Sequence, residues 1–298
     1  MLEGWGKPIL SLMATQKTAL ITGATSSIGF AGARELGRRG WRVFVHGRTP
    51  EKADRAAARL RAEVPQGSFQ PVSADLFSLI AVAELAQRMS ALAPSLNLLW
   101  NNAGGQVSKR ILSAQGVEWQ MAVNHLAGFA LAHHLFPALQ AAPQGRIVFT
   151  SSSIHSAAPR AIPRWLDSPP GRYPTLGMYG QSKLANLLFV QEFARRHSGG
   201  TVTAHAFHPG FVKTNFGSGA DALYHNAFLF AVAFGISPDK GAETALFLAE
   251  SPEGGTSNGL YWYQKNPKTP SRRATVEAGG RLWDESEAVL ATLIQSSR

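Results

Sequence analysis

The stretch Thr18-Ala19-Leu20-Ile21-Thr22-Gly23-Ala24-Thr25-Ser26-Ser27-Ile28-Gly29 decides the fold. Its first five residues, TALIT, are apolar and partly β-branched, the pattern of a buried strand. A Gly/Ser/Thr turn follows and opens onto a helix-like segment, Ile28–Gly40. Strand, glycine turn and helix in that order form a cradle for a pyrophosphate. Backbone N–H groups converge at the helix N-terminus, where the helix dipole favours negative charge. Gly23, Thr25, Ser26, Ser27, Ile28 and Gly29 are therefore candidate cofactor-binding residues. Taken alone, the motif is also compatible with an ordinary glycine turn.

Outward from this unit, strands and helices alternate. WRVFVHG (41–47) reads as a strand, Pro50–Ala62 as a helix, Ser68–Ser73 and Leu96–Asn101 as strands flanking a helix near 77–92. One long helix is predicted over 116–137, a strand at RIVFTSS (146–152), a helix after Met178 and a strand at TVTAHAFH (201–208). Residues 238–250 read as helix, GLYWY (259–263) as strand and 282–295 as helix. Strands separated by helices imply a parallel sheet covered on both faces. Right-handed crossovers then make an α/β, doubly wound Rossmann sheet of about seven strands. Residues 15–298 read as one domain, and residues 1–14 as a flexible N-terminal extension. Two segments break the rhythm: 155–177, rich in proline, and 211–236, which follows a Pro-Gly pair. Each follows a predicted strand, where the ligand crevice of such a sheet is built.

Composition narrows the function classes. The chain has 298 residues, 45% of them hydrophobic and 16% charged, which excludes disorder over most of its length. It has no cysteine, so disulfides, thiolate metal sites and a cysteine nucleophile are excluded. No apolar run is long enough to span a membrane. The formal charge of +10 favours anionic partners, but the basic residues are scattered and no nucleic-acid motif occurs, so no nucleic-acid partner is expected. The adjacent His133 and His134 lack metal-ligand spacing, and no metal is expected. No G-x-S-x-G elbow surrounds Ser152, which excludes a hydrolase nucleophile there.

The second strand ends Val45-His46-Gly47-Arg48-Thr49, without the acid that would hold a ribose 2′-hydroxyl. The planar fork of Arg48 suits a 2′-phosphate, so NADP(H) is the expected cofactor. Asp75, after the third strand, is a candidate acceptor for the adenine amino group, with Leu76 beside it. Further on, Tyr179-Gly180-Gln181-Ser182-Lys183 places Tyr179 and Lys183 at i and i+4 on one helix face. An ammonium there stabilises a phenolate, so the tyrosine can exchange a proton with a carbonyl or alcohol oxygen.

Four more motifs stand in order: Asn101-Asn102-Ala103-Gly104 after strand four, Asn124 in VNHL, Ser151-Ser152-Ser153 ending strand five, and HPGFVKT (208–214) after strand six. With the first turn and the Tyr/Lys pair, this set resembles the short-chain dehydrogenase/reductase superfamily from about residue 17 to the end. YGQSKLANLLF (179–189), VNHLAGF (123–129) and RLWDESEAVL (281–290) are most similar to its retinol-dehydrogenase-like branch. The resemblance implies that Tyr179 is the catalytic acid/base and that Lys183 assists it and holds the nicotinamide ribose. It implies that Ser152 binds the substrate oxygen and that Asn124 supports a proton relay. Asn102, Ala103 and Gly104 would border the cofactor, with Pro209, Gly210, Val212 and Thr214 near the nicotinamide. Hydride would pass directly between nicotinamide and carbonyl carbon. One departure is Ser27, where the family has glycine. A Cβ there would crowd the phosphate, or its hydroxyl would donate a hydrogen bond.

His155, Trp165, Phe211 and Phe216, with Ser152, are the expected substrate-binding residues of an apolar pocket. A hydrophobic aldehyde, ketone or alcohol is the expected small-molecule partner. The sequence thus predicts an NADP(H)-dependent carbonyl/alcohol oxidoreductase. The rival readings are a reductase of a biosynthetic ketone or C=C bond, and a non-catalytic NADP(H)-binding sensor or scaffold. A cytoplasmic location is expected, with peripheral membrane contact through 222–236 as the alternative. Family members are often homo-oligomers, and nothing in the sequence selects an oligomeric state.

Overall fold

The computed structural model describes residues 16–159, 162, 164–167, 171, 173–212 and 235–296. The N-terminal extension and most of the 211–236 loop, Thr214 and Phe216 included, lie outside the described residues. Eight strands form one sheet: β1 (Thr18–Ile21), β2 (Arg42–Gly47), β3 (Ser68–Ser73), β4 (Leu98–Asn101), β5 (Arg146–Thr150), β6 (Thr203–His208), β7 (Tyr261–Tyr263) and β8 (Asn266–Pro267). Their order is β3-β2-β1-β4-β5-β6-β7-β8. Every neighbouring pair is parallel except the last. The seven parallel strands match the sequence expectation, and the two-residue antiparallel β8 adds an edge. The chain reverses its direction of travel across the sheet between β1 and β4. In a doubly wound sheet the crevice outside the carboxyl ends of those two strands is where ligands bind.

Alternation along β1 divides the core. Ala19 and Ile21 face one cluster and Leu20 the other. The first cluster packs α1 (Ser27–Arg38), α2 (Pro50–Glu63) and α8 (Pro238–Glu250) through residues such as Leu36, Leu60 and Leu248. The second packs α3 (Leu79–Leu92), α5 (Ala127–His134), α7 (Thr175–Arg196) and α10 (Val276–Ser296) through Leu85, Phe129, Leu188 and Trp283. The Trp283 ring lies 5.0 Å from Phe129 and 5.5 Å from Phe189, centroid to centroid. That aromatic group fixes the C-terminal helix on the outside of α5 and α7.

Several element boundaries differ from the sequence expectation; β4, β5 and β6 are each two residues shorter at one end, and four differences have an evident local cause or consequence. The 116–137 helix is broken into α4 (Trp119–Met121), a π-helical turn (Ala122–Leu126), α5 and α6 (Phe136–Gln140). Glu118 caps its start, and Pro137, which lacks an N–H, stands just after the break at Leu135. Helix α7 starts at Thr175 rather than after Met178, immediately past Pro174. β7 starts at Tyr261 because Gly259, with φ +76°, still belongs to the turn. α10 starts at Val276, six residues before the expected 282, because Gly279-Gly280 weakens the helical pattern of its first turns. A short helix, α9 (Pro252–Thr256), follows α8. No helix of the described residues is long and apolar enough to cross a membrane.

Candidate active site

One cavity of about 500 Å³ opens at the carboxyl ends of the central strands. Its floor begins with the glycine turn between β1 and α1. Gly23 has φ +63°, and a Cβ there would lie 2.9 Å from the Ala103 Cα, so the residue permits both the turn and the close approach of the β4 loop. Thr22 stitches the two segments together. Its Oγ1 accepts from the backbone N–H groups of Asn102 (2.9 Å) and Ala103 (3.0 Å). In return the Asn102 amide donates to the Thr22 carbonyl at 3.0 Å. From β2, the buried His46 accepts the Gly23 N–H at Nδ1 (3.2 Å) and turns Nε2 to the Ala74 carbonyl (3.1 Å). Burial pulls the His46 pKa down to about 4, so the ring is neutral and serves as a fixed strut.

Ser27 adopts φ +51°, a left-handed conformation that costs a residue with a Cβ. Its Oγ is buried and has no hydrogen-bond partner. Ser27, Thr25, Ser26 and Ile28 all line the cavity, whereas Gly29 stands behind it. At the outer end, Arg48 and Lys52 line the cavity with Asp75 and Leu76. Arg48 is exposed, and the Asp75 carboxylate accepts the Phe77 N–H at 3.1 Å.

The opposite end is built from β5, the π-helical turn and α7. Ser151 and Ser152 both line the cavity, but the Ser151 hydroxyl donates to the Lys183 carbonyl at 2.9 Å. Ser152 caps the following 3₁₀ turn, its Oγ accepting the Ile154 N–H at 3.2 Å, and is only partly buried. Lys183 is buried beneath Tyr179. Its Nζ lies 5.5 Å from the phenol ring centroid and donates to the Thr150 carbonyl at 2.9 Å. Desolvation holds the ammonium down to about 8. Asn124 sits in the π-helical turn just behind the wall. Its amide clamps the Gly105 peptide, donating to the carbonyl at 3.0 Å and accepting the N–H at 2.8 Å. It also donates to Ser182 Oγ at 3.0 Å, which ties it to α7. A Cβ on Gly104 would lie 3.1 Å from Asn124 Oδ1 and 3.3 Å from Lys183 Nζ, so those two groups converge on one point.

The structure brings most of the sequence-predicted residues together. Asn102, Ala103, Gly104, Tyr179, Lys183, Pro209, Gly210, Phe211 and Val212 line the cavity with those above. Two expected substrate residues do not reach it. Trp165 is buried in the core; its backbone N–H donates to Glu285 (2.8 Å) and its carbonyl accepts from Gln181 (2.7 Å). Tryptophan in a proline-rich loop suggested a pocket wall, but here it anchors the loop to α7 and α10. His155 is also buried. Its Nδ1 faces the Ser152 carbonyl (2.7 Å) and its Nε2 accepts the Ser271 N–H (3.1 Å), so it fastens the serine turn to the C-terminal segment.

Comparison with known proteins follows the same outline. A family model described as short chain dehydrogenase matches residues 17–163. Human retinol dehydrogenase 14 is 36% identical over 294 residues, covering 93% of this chain and 87% of that protein. The chain is a short-chain dehydrogenase/reductase of the retinol-dehydrogenase-like branch. Among solved structures, an uncharacterized protein from Mycobacterium paratuberculosis superimposes with a TM-score of 0.73 at 31% identity, over 92% of this chain and 93% of the other. A short-chain dehydrogenase from Burkholderia cenocepacia J2315 in complex with NADP gives 0.63 at 25% identity, over 82% and 94%.

In this short-chain dehydrogenase/reductase, sequence reasoning missed several cavity residues: His46, Lys52, Gln106, Trp119 and His208. His46 and His208 stand at the carboxyl ends of β2 and β6, the positions that face the crevice, and that placement was the available signal. Gln106 and Trp119 lie in a stretch with no motif of its own. The clamp between Asn124 and Gly105 brings that stretch to the site.

Proposed function

We propose that this oxidoreductase is NADP(H)-dependent and interconverts a carbonyl and an alcohol on a hydrophobic small molecule, with reduction as its working direction. The observation that carries the reading is convergence. Ser152, Tyr179 and Lys183 line the same cavity as the glycine turn, with Asn124 directly behind them. A protein that only sensed a nucleotide would need the turn and not the other four.

The residues fit a phosphorylated dinucleotide. The turn offers backbone N–H groups and one buried hydroxyl that no protein group engages. At the outer end two cations, Arg48 and Lys52, line the cavity where a 2′-phosphate would sit. Asp75 lies on the next strand's loop and already holds a backbone N–H. The bound NADP in the Burkholderia neighbour supports this choice. The nicotinamide, when bound, supplies hydride to the carbonyl carbon.

The protein's own groups handle the oxygen. Ser152 Oγ donates a hydrogen bond to it and Tyr179 supplies the proton. The Lys183 ammonium stabilises the phenolate that remains, and does so strongly because it is desolvated. The lysine is held in place by the Thr150 carbonyl, so little reorganisation accompanies the proton transfer. Asn124 keeps the Gly104-Gly105 segment at a fixed distance from Lys183, which orients the floor of the site. The cavity walls near the chemistry, Trp119, Val123, Ile154 and Phe211, suit an apolar substrate.

The test is a titration with NADPH and NADH followed by intrinsic tryptophan fluorescence, then NADPH consumption with a panel of hydrophobic ketones and aldehydes. Tighter binding of NADPH by about 10- to 100-fold is expected from a charge-assisted phosphate contact. Failure to bind either cofactor would sink the redox reading. Binding without turnover of any carbonyl would favour the sensor.

A further inference from the structure

We propose that His155 is a positioning residue of this active site: by holding the Ser152 carbonyl, it fixes the serine hydroxyl at the spacing from Tyr179 that reduction needs. This rests on the carbonyl-reductase reading above, in which Ser152 and Tyr179 share the reacting oxygen.

His155 is buried and stands outside the cavity lining, so it acts on the chemistry only through a neighbour. Both ring nitrogens are engaged, and together they fix the tautomer. Nε2 accepts the Ser271 N–H at 3.1 Å, so the ring proton is on Nδ1, which donates to the Ser152 carbonyl at 2.7 Å. The His155 backbone N–H donates to the same carbonyl at 3.2 Å. Two donors from one residue thus hold the peptide that leaves Ser152. The Ile154 N–H meets the Ser152 Oγ at 3.2 Å, so the hydroxyl accepts from the protein and keeps its own proton for the substrate oxygen. The 3₁₀ turn that follows, Ser153–Ala157, is gripped on two sides. On one side α7 approaches at Gly180, directly after Tyr179. A Cβ there would lie 2.7 Å from the Ile154 carbonyl oxygen and 2.8 Å from the Ala158 nitrogen, so glycine lets the turn abut the helix that carries the tyrosine. On the other side is the segment between β8 and α10. Arg273 donates to the carbonyls of Ser156 (2.7 Å) and Ala158, and Ser271 reaches the imidazole. The spacing between Ser152 and Tyr179 is therefore set by backbone against backbone at Gly180, and His155 carries that hold through to the serine. A misplacement of about 1 Å at a reacting group costs up to about a hundredfold in rate, which is the leverage such a contact has.

The experiment measures NADPH-dependent reduction of acetophenone, propiophenone and butyrophenone by the full-length protein, under single turnover with enzyme in excess so that slow variants are read. His155→Phe keeps a ring and its edge contact with Tyr261, 5.1 Å between centroids, and removes both nitrogens. It should slow reduction by about tenfold or more and leave NADPH affinity, followed by tryptophan fluorescence, unchanged. His155→Asn keeps an N–H donor at the Nδ1 position and should recover to within about threefold of wild type, whereas His155→Gln, whose amide falls at the Nε2 position, should not. In a Ser152→Ala background His155→Phe should cost less than about twofold, because a residue that acts through the serine hydroxyl has nothing further to lose once it is gone. If His155→Phe does not fold, the contrast between the Asn and Gln variants decides. The proposal is overturned if His155→Phe stays within about twofold of wild type, if His155→Asn is as slow as His155→Gln, or if the loss is the same with and without the Ser152 hydroxyl, as a merely structural histidine would give. Weaker NADPH binding by His155→Phe overturns it as well. Ketone reduction that Ser152→Ala slows upholds the reductase reading whatever happens at His155. A wild type that binds NADPH and reduces none of the three ketones counts against that reading itself, and the proposal falls with it.

Discussion

Replacing Ser27 by glycine should make the apo-protein more stable and the cofactor bind less tightly. Ser27 holds φ at +51°, where a Cβ meets the following carbonyl oxygen. That conformation costs an L-residue about 1–2 kcal/mol, and glycine adopts it freely. Its hydroxyl is also buried without a partner, which adds about 1–3 kcal/mol of lost hydration. Against this, glycine gives up about 0.5–1 kcal/mol through its more flexible unfolded chain. The net expectation is a gain of about 1–4 kcal/mol. For a domain of this size each kcal/mol moves Tm by about 2–4 °C. Calorimetry on Ser27→Gly without cofactor should therefore show Tm raised by at least about 2 °C. The same variant loses one of the hydroxyl donors of the turn, so NADPH affinity should fall by about three- to tenfold. Strain and an unsatisfied group at a binding turn would then be stability exchanged for binding. An unchanged or lower Tm in Ser27→Gly would refute the strain argument, and unchanged NADPH affinity would refute the role of the hydroxyl.

Three further outcomes follow from the site and its surroundings. The Lys183 ammonium is held down to about 8, so kcat should fall as pH rises through that value; stability should not fall with it, because the unfolded lysine keeps its proton to higher pH and this group alone makes the fold more stable between about 8 and 10.5. A kcat level from pH 7 to 9.5 would contradict the assignment. Burial lowers His46, His125, His205 and His208 to about 4, below the 6.5 of a free histidine, so their contribution is full above pH 6.5 and lost as pH falls toward 4. Tm should drop steadily from pH 6.5 to 4.5, and a flat profile there would show that these rings are not buried neutral. Gly104→Ala places a methyl 3.1 Å from Asn124 Oδ1 and 3.3 Å from Lys183 Nζ, so it should lower kcat by about tenfold or more while the protein stays folded by circular dichroism.

The sheet was legible because its central parallel strands, β1, β2, β4 and β5 among them, are largely apolar runs, and a strand buried on both faces carries that signal without help from its neighbours. The glycine turn and the Tyr179/Lys183 pair were legible for a similar reason: their chemistry depends on spacing within one element. What the sequence could not display was tertiary. The π-helical turn around Asn124 lies inside the expected 116–137 helix, and nothing in AVNHL announces one. Trp165 and His155 carry residue types that suit a pocket, but their hydrogen bonds to Glu285 and Ser271 span more than a hundred residues and draw them into the scaffold. His46 was passed over because a lone histidine in a strand has no spacing to read. Its function depends on the Gly23 N–H and the Ala74 carbonyl, which only the folded sheet places on either side of it. The choice among Ser151, Ser152 and Ser153 needed the same information, namely that the Ser151 hydroxyl is spent on the Lys183 carbonyl.

In the proposed mechanism Tyr179 performs proton transfer in a site that binds NADPH independently of it. Tyr179→Phe and wild type should be compared in parallel, with NADPH affinity measured by tryptophan fluorescence and NADPH consumption measured against a hydrophobic ketone that the wild type reduces. NADPH affinity is expected to be equal, with a fall in kcat of at least about a hundredfold, the range of a general acid's contribution. Turnover by Tyr179→Phe within a few-fold of wild type would contradict that mechanism.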